Sequence, residues 1–340
     1  MEAVPSGPAK IADVAAFAGV GVATVSRVLN GRANVADGTR ERVLEAIKTL
    51  NYTPSSVARN LSLKRTLVVG VVTPFLTNPS PIERVRGIVT ALGESEYDLA
   101  LFDVESPGRQ RRAFRLLADP HRTDGLLIVS MVPPVDEVAR LQLAGIATVL
   151  VDGLVDGLPA VVIDDVDGGA MATRYLLELG HRRVAFIGDK PPDGFRHQST
   201  GDRTAGYLRA LAEYDVPVRP EYLREGTHSR HVARSIAEEL LRLPERPTAI
   251  FAASDTQALG VLEAARALGI GVPDELSVIG FDDIEIASYA GLTTIRQPLF
   301  ESGLRGAELL LAALAGNPPS ARVETLHLDL IVRGTTRPPA

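Results

Sequence analysis

The chain contains no cysteine, so disulfides and thiol chemistry are excluded. It also lacks any apolar run of about twenty residues, the length that a membrane-spanning helix needs. The opening residues, MEAVPSGPAK, have no apolar core of the kind found in signal peptides. We therefore expect a soluble, cytoplasmic protein with no membrane partner.

Common catalytic signatures are missing as well. There is no GxSxG elbow and no HExxH pair. The segment GVGVAT at 19–24 half matches a dinucleotide fingerprint, but a helical pattern precedes it where a strand is required. His228 and His231 have a spacing that metal ligands can adopt, yet two close histidines on a surface helix seldom bind metal. An enzyme is therefore a weak alternative, and neither a cofactor nor a metal is expected.

Charge is distributed unevenly along the chain. Residues 1–66 contain nine Lys or Arg and five Asp or Glu, a balance of +4, although the whole chain carries −6. The remaining residues contain 27 basic and 37 acidic side chains, a balance of −10. A basic N-terminal part on an acidic body directs nucleic acid to that part.

The N-terminal part has the spacing of a helix-turn-helix. Ile11, Val14, Ala15 and Ala18 fall on one helical face, and Gly19 ends that helix because glycine readily adopts the left-handed conformation. A second helix is predicted from about Val22 to Leu29. Its inward face holds Val25, Val28 and Leu29, and Asn30-Gly31 stops it.

The outward face of the second helix suits the major groove of DNA. Val22 and Ala23 are small enough to enter the groove, and Arg27 is a long donor that can make a bidentate contact to guanine. Thr24 and Ser26 can donate to phosphates, which position the helix without reading sequence. The alternative is an ordinary helical hairpin with a solvated arginine.

Two further elements follow. VADGTRERVLEAIKTLNYTP predicts a third helix that starts at Asp37 as N-cap and packs through Val43, Ala46, Ile47 and Leu50. PSSVARNLSLKRT then predicts a short basic helix that begins at Pro54-Ser55.

These motifs resemble the lactose-repressor/galactose-repressor (LacI/GalR) family of bacterial transcription regulators. The resemblance rests on AxxAGVxxATVSRVLNG followed by TRERVLEAIKTLNYTPSSVARNL, and it continues through the C-terminal half. In that family the short basic segment is a hinge helix that is ordered on DNA. A leucine from each hinge helix wedges into the minor groove and kinks the duplex.

By position the wedge residue is Leu61, flanked by Ala58 and Arg59, although Leu61 could instead pack against the body. Gly21 stands where relatives usually carry a capping serine, so one phosphate contact is expected to be missing. The expected DNA-contacting residues are Val22, Ala23, Thr24, Ser26, Arg27, Asn30, Ala58, Arg59 and Leu61.

From Thr66 onward, short apolar runs alternate with helical stretches. The predicted strands are LVVGVV, DLALFD, GLLIVS, ATVLVD, RVAFIGD, AIFAAS and LSVIGFDD. Runs of this kind indicate parallel sheets buried on both faces, and about 270 residues suit two of them. The predicted fold is an all-α helix-turn-helix domain followed by an α/β body of two parallel-sheet subdomains.

The resemblance implies two similar subdomains hinged around a cleft, as in periplasmic sugar-binding proteins, with three chain crossings. We place these crossings near Asp167, Gln297 and Leu326. The predicted domains are a helix-turn-helix domain at 1–53, a hinge at 54–65 and an effector domain at 66–340. The N-subdomain would comprise 66–166 and 298–325, and the C-subdomain 167–297 and 326–340.

Ligands of open α/β sheets bind beyond the carboxyl ends of strands. Arg203 and Asp282 also match family positions that hold polar groups of the effector, although they could form only an internal salt bridge. Asp255 is a weaker candidate because an aspartate that opens a helix is often a cap, and the serines could be simple cleft wall. The expected effector-binding residues are Ser80, Ser130, Asp152, Arg203, His228, Ser254 and Asp282.

Two departures from the family bear on the ligand. The run Asn78-Pro79-Ser80-Pro81 lacks the aromatic pair of many relatives, and Thr227-His228 stands where sugar-responsive members stack an aromatic. His228 could contact the ligand or lie on the surface. We therefore expect a small polar metabolite, a sugar or a related molecule, that differs from a plain hexose.

Together these patterns predict an allosteric repressor. A homodimer would read palindromic double-stranded operator DNA, and the ligand would shift DNA affinity through the orientation of the subdomains. The chain ends RGTTRPPA without a leucine heptad, which favours a dimer over a tail-assembled tetramer. The alternative from another class is a solute-binding receptor with no role at DNA.

Overall fold

A computed structural model of the chain describes residues 9–29, 35–53, 65–190, 199–317 and 323–340. The chain divides into two units, Met1–Thr66 and Leu67–Ala340. The predicted DNA contacts Asn30, Ala58, Arg59 and Leu61 lie outside the described residues.

The first unit is a three-helix bundle. Its helices are Ile11–Ala18 (α1), Val22–Leu29 (α2) and Asp37–Thr49 (α3). Gly19 ends α1 with a φ of 65°, the left-handed conformation that the sequence predicts. Val14, Val25 and Val43 are fully buried in the centre of the bundle. The spacing of apolar residues therefore predicts this unit correctly.

One detail of α3 differs from the prediction. Asp37 is the first residue inside the helix, and the N-cap is Ala36, whose side chain makes no capping bond. The carbonyl of Ala36 accepts from the backbone N–H of Thr39 and Arg40, which starts the helix one residue earlier. Asp37 lies in the first turn, where a negative charge is stabilised by the helix dipole.

The described residues of the second unit form twelve strands and nine α-helices. In chain order the strands are Val68–Thr73 (β1), Asp98–Asp103 (β2), Gly125–Val129 (β3), Ala147–Val151 (β4), Ala160–Ile163 (β5), Val184–Asp189 (β6), Leu223–Gly226 (β7), Ala249–Ala252 (β8), Ser277–Asp282 (β9), Thr293–Arg296 (β10), Val323–Leu326 (β11) and Asp329–Ile331 (β12). The helices are Pro79–Leu92 (α4), Pro107–Leu117 (α5), Val135–Leu143 (α6), Asp165–Glu178 (α7), Ser199–Glu213 (α8), Arg230–Leu241 (α9), Asp255–Ala267 (α10), Glu285–Tyr289 (α11) and Leu299–Leu314 (α12).

These strands form two six-stranded sheets, in the orders β11-β5-β4-β3-β1-β2 and β12-β10-β9-β8-β6-β7. Neighbouring strands are parallel, except that β12 runs antiparallel to β10. Each of the seven predicted apolar runs forms a strand. The five strands not predicted, β5, β7, β10, β11 and β12, contain only three or four residues each. Such short strands have no clear apolar periodicity.

The chain passes between the sheets after β5, after β10 and after β11. The first crossing is at Asp164, which caps α7 by accepting a hydrogen bond from the Asp167 backbone N–H. Since α7 packs against the second sheet, the boundary expected between residues 166 and 167 lies inside this helix and is two residues late. The second crossing contains Gln297, and the third contains His327.

Glycines allow close packing of the helices that cover the first sheet. A Cβ on Gly303 of α12 would overlap the backbone carbonyl oxygen of Arg84, and one on Gly87 of α4 would overlap that of Phe300. The two helices therefore approach each other closely at Arg84. This contact sets the position of Arg84 relative to the first sheet.

Among the described residues, no single helix is long and apolar enough to cross a membrane. By length and composition alone, α1 and α2 pass that test only as a pair, and the pair is bent by 103°.

Candidate functional site

Helix α2 presents the face that the sequence predicts for DNA. Val22 is 45% exposed, and Ala23 and Arg27 are also exposed, while Thr24 and Ser26 are half-buried. The opposite side of the helix is anchored by the buried Val25 and Val28. The backbone carbonyl of Gly21 accepts from the N–H of Thr24 and of Val25, so the glycine still starts the helix.

The second unit contains a cavity of about 310 Å³ between its two sheets. Its wall is built largely from residues that follow the carboxyl ends of strands, where open α/β sheets bind ligands. All seven predicted effector residues line it: Ser80, Ser130, Asp152, Arg203, His228, Ser254 and Asp282.

Backbone strain is concentrated in the cavity wall. Four non-glycine residues that line it have positive φ, namely Phe75 (51°), Ser130 (53°), Asp152 (61°) and Asp282 (116°). Conformations of this kind cost roughly 1–3 kcal/mol each and tend to occur at functional sites. Ser130 and Asp152 directly follow strands, and Asp282 ends one, so the strained positions coincide with polar side chains of the cavity wall.

On the side of the first sheet, Asp152 holds two donors. Its Oδ2 accepts from the Ser130 hydroxyl at 2.8 Å and lies 2.9 Å from Nη2 of Arg84. The side chain of Arg84 is only 3% exposed. Arg84 projects from α4 one turn after Ser80, so both face the same cavity.

Gln297 connects the two sides of the cavity. Its Oε1 accepts a hydrogen bond from Arg84 at 2.8 Å, and its Nε2 donates to Oδ1 of Asp282. Arg84 belongs to a helix on the first sheet, whereas Asp282 ends β9 of the second sheet. A buried polar bridge therefore spans the two subdomains at a chain crossing.

On the side of the second sheet, Arg203 is held by three groups. Its Nε donates to Asp165 at 2.7 Å, its Nη1 donates to the Ala253 carbonyl at 2.6 Å, and its guanidinium lies 3.7 Å from the centre of the Phe281 ring. Asp282 is farther away, with 3.9 Å between its Oδ1 and the arginine Nη1. Arg203 therefore pairs chiefly with Asp165, a partner that the sequence does not reveal.

Burial raises the pKa of two carboxyl groups, Asp282 in the cavity wall and Asp165 beside Arg203. Desolvation raises the pKa of Asp165 to about 6, against the opposing effect of Arg203. Burial also raises the pKa of Asp282, although Arg203 and Gln297 favour its charged form. The two carboxyl groups therefore take up protons more readily than exposed aspartates.

His228 lies in the wall and is not a surface histidine. Its Nδ1 is 3.0 Å from Oδ2 of Asp189. Burial lowers the pKa of His228, but the hydrogen bond to Asp189 and its charge outweigh burial and raise the pKa above the ordinary value. Gln257 donates to the other oxygen of Asp189 at 2.8 Å, so both carboxylate oxygens are occupied.

Ser254 and Asp255 have different roles. Ser254 caps α10 by accepting from the Gln257 N–H, and it also lines the cavity. Asp255 is not among the lining residues. It is fully buried, accepts from the Thr294 hydroxyl at 2.6 Å and from the Ile284 N–H at 2.9 Å, and thus connects neighbouring segments. The candidate Asp255 is therefore structural.

Several lining residues were not predicted from the sequence. Phe75 places an aromatic ring in the wall three residues before the run Asn78-Pro79-Ser80-Pro81, which itself contains no aromatic. Arg84 is recognisable only through its long-range contacts, whereas Gln297 was named only as a crossing because the short strand β10 that precedes it was not predicted. Asp189 and Lys190 follow β6 and could have been found from their position after a strand.

No group of three or more His, Cys, Asp or Glu suited to a metal ion occurs in the part of the chain that the structure describes.

Comparisons with known proteins follow the same division of the chain. Residues 10–55 match the family model of bacterial regulatory proteins of the lacI family, and residues 173–336 match that of the periplasmic binding protein-like domain. The transcriptional repressor PurR of Vibrio vulnificus is 34% identical over 337 residues, which cover 97% of this chain and 99% of that protein. Catabolite control protein A of Priestia megaterium is 35% identical, with coverages of 88% and 91%.

A solved structure shares the architecture over nearly the whole length. The lac repressor dimer bound to operator and the anti-inducer ONPF superposes with a TM-score of 0.84 at 29% identity, covering 97% of this chain and 100% of that one.

Proposed function

The chain belongs to the lacI family of bacterial regulatory proteins, and from this we propose how its two units act together. The protein is a DNA-binding transcriptional repressor regulated by a small-molecule effector. The observation that carries the proposal is the presence, in one chain, of an exposed helix-turn-helix face and a polar cavity between two sheets.

The first unit reads operator DNA through α2. Val22 and Ala23 enter the major groove, Arg27 contacts a guanine edge, and Thr24 and Ser26 contact phosphates. Asn30 adds a further contact to the DNA. The hinge segment contributes Leu61 as a wedge in the minor groove, with Ala58 and Arg59 beside it.

The second unit binds the effector, a small polar metabolite, between its sheets. Arg203 and Asp282 approach it from the second sheet, and Ser130 and Asp152 approach it from the first. Ser80, Ser254 and His228 complete the set of polar contacts. Because these groups belong to two subdomains joined by three crossings, a ligand that contacts both favours one relative orientation. Coupling of this kind typically changes DNA affinity by about 5- to 150-fold.

The functional protein is a homodimer, since a palindromic operator requires two symmetric reading heads. An apolar groove on the first sheet side suits such an interface. Four exposed apolar side chains line it: Ile82, Val89, Leu101 and Phe300.

Two other function classes are less well supported. The relatives named above are transcriptional regulators, which argues against an enzyme. A solute receptor would have no use for the exposed α2 face. Because a regulator acts where the chromosome is, we place the protein in the cytoplasm.

The test is selection of genomic DNA fragments by the purified chain at about 0.15 M salt, because salt sets the non-specific background. We expect recovery of a short palindrome whose affinity changes in the presence of pooled cell metabolites. Failure to select any sequence, with and without metabolites, would contradict a regulatory role.

A further inference from the structure

On the side of the first sheet, the cavity wall contains Arg84, and the protein uses only some of its hydrogen-bond donors. Arg84 is 2% exposed, and its Nη2 makes both of its contacts, to Asp152 and Gln297. Its Nε is enclosed and has no hydrogen-bond partner among the described residues. Its Nη1 likewise makes no hydrogen bond to them. Because Nε is enclosed, a ligand in the cavity cannot reach it, and Nη1 is the donor of Arg84 that remains for an acceptor in the cavity.

The cavity wall on the side of the second sheet also contains hydrogen-bond donors that the protein does not use. Arg203 uses Nε for Asp165 and Nη1 for Ala253, while its Nη2 makes no hydrogen bond within the described parts of the chain. Lys190 also lines the cavity, and its ammonium group forms no ion pair with a described residue. Three cationic side chains therefore retain donors that can face a ligand.

The carboxylates of the wall offer few acceptors in return. Both oxygens of Asp189 are occupied by Gln257 and His228, and Oδ2 of Asp152 is occupied by Ser130 and Arg84. Of the carboxylate oxygens of Asp152, Asp189 and Asp282, only Oδ1 of Asp152 and Oδ2 of Asp282 have no donor within the described residues. Charged donors therefore outnumber open carboxylate oxygens.

We propose that the effector is a polyhydroxylated anion whose carboxylate or phosphate oxygens accept hydrogen bonds from Arg84. The inference rests on the proposed function, since it specifies the chemical class of the molecule that switches DNA binding. Bonds between a guanidinium and an anionic oxygen are about twice as strong as neutral ones. Hydroxyl groups of the same ligand donate to the open oxygens of Asp152 and Asp282.

The remaining wall agrees with a ligand that also has a carbon skeleton. Pro74, Phe75 and Pro81 line the cavity on the Arg84 side and provide apolar surface beside the guanidinium. Simple inorganic anions would leave this surface without a partner. A neutral sugar would cover it but would bring no charged acceptor to Arg84.

The test uses isothermal titration calorimetry of the full chain with matched probes. These are D-glucose, D-ribose and maltose, each compared with its aldonate and with a phosphate ester of the same sugar. We expect at least one acid to bind ten times more tightly than its neutral parent. The carboxylate and phosphate members of each set show which anion is preferred.

Variants then assign the preference to Arg84. Arg84→Gln should reduce acid binding at least tenfold, and Arg84→Lys should restore part of it because the charge is retained. Arg112→Gln removes an exposed arginine from α5 and serves as the matched control, with wild-type binding expected. Since Arg84→Gln leaves Asp152 without its cation, the double variant Arg84→Gln/Asp152→Asn keeps the charge balanced if the single variant fails to fold.

Three outcomes would overturn the proposal: a neutral sugar that binds as tightly as its acids, no binding of any acid, or unchanged acid binding in the folded Arg84 variants. Genomic DNA selection on the same preparation separates the two hypotheses. A palindrome recovered by a chain that binds no acid refutes only the ligand class, whereas no palindrome refutes the proposed function.

Discussion

Arg84 and Gln297 are 213 positions apart in the chain, yet Nη2 of Arg84 donates to Oε1 of Gln297 at 2.8 Å. The same glutamine donates to Asp282 in the other subdomain. Two walls of the cavity are thus joined by one side chain at a crossing between the sheets. This bridge is formed by the protein alone, so a ligand has to bind beside it or replace part of it.

Gln297→Met tests this bridge because it keeps the approximate volume and removes both hydrogen bonds. Arg84 and Asp282 would each lose a buried partner, and we expect the free energy of unfolding to fall by about 1–3 kcal/mol. Urea denaturation measures the change. Gln142→Met, at an exposed position on α6, should have little effect. Equal stability of the two variants would contradict a structural bridge.

Gly303→Ala tests the close approach of α12 to α4. The added Cβ would overlap the Arg84 carbonyl oxygen, so the helices must separate. We expect a loss of about 1–3 kcal/mol, as for other overpacked sites. Gly108→Ala is the control, because a Cβ there meets nothing within 4 Å. Thermal unfolding of both variants provides the measurement, and an unchanged melting temperature for Gly303→Ala would refute the packing argument.

Arg27→Ala should relax the preference for one base pair in each half-site, with a loss of about 1–3 kcal/mol on the preferred sequence. Binding to a set of operators that differ at single positions measures this. Thr24→Val is the comparison, since loss of a phosphate contact should weaken all sequences alike. An equal loss of affinity for all sequences in Arg27→Ala would mean that Arg27 contacts the phosphate backbone of the DNA and not a base.

Asp282→Ala should remove the response to the effector while operator binding without effector persists. The open Oδ2 and the bridge to Gln297 are both lost, so the ligand no longer favours one orientation of the subdomains. The measurement is the ratio of operator affinities with and without a ligand that acts on the wild type. Asp156→Ala, at an exposed loop position, should keep the wild-type ratio. Loss of the fold in Asp282→Ala would show that the residue is structural.

The raised pKa of Asp165 predicts a pH dependence of stability. Its pKa is about 6 in the folded chain and near the ordinary value of 3.8 when unfolded, because burial disfavours the charged form. Between these two pH values the folded state therefore binds more protons than the unfolded state. The stabilisation of the fold that results is complete below the lower pKa and is lost as the pH rises through about 6. Asp282 and Asp255 are shifted in the same direction and add to the effect.

Asp165→Asn should reduce the slope of stability against pH between about 4 and 6. Chemical denaturation at several pH values measures the slope, with Asp156→Asn as the exposed control. An unchanged slope in Asp165→Asn would assign the pH dependence to other groups.

Local patterns in the sequence predict much of this molecule. The positions of Val14, Val25 and Val43 define the three-helix unit because helix periodicity alone places them on inward faces. Position after a strand likewise identifies Ser130, Asp152 and Asp282, since parallel strands end at a common edge. This reasoning does not predict the short strands β7 and β12, because three or four residues are too few to show a periodicity. It also does not predict the N-cap at Ala36, because backbone geometry decides where that helix begins.

The sequence by itself determined the two-part organisation, the strand runs and the seven polar residues that meet in one cavity. Only the tertiary structure decided how these residues are paired. It assigned Arg203 to Asp165, excluded Asp255 from the wall and introduced Arg84, Gln297 and Phe75. The physical reason is that charge pairing depends on distances between segments far apart in the chain, and those distances are set by the packing of helices on two sheets, which no local pattern encodes.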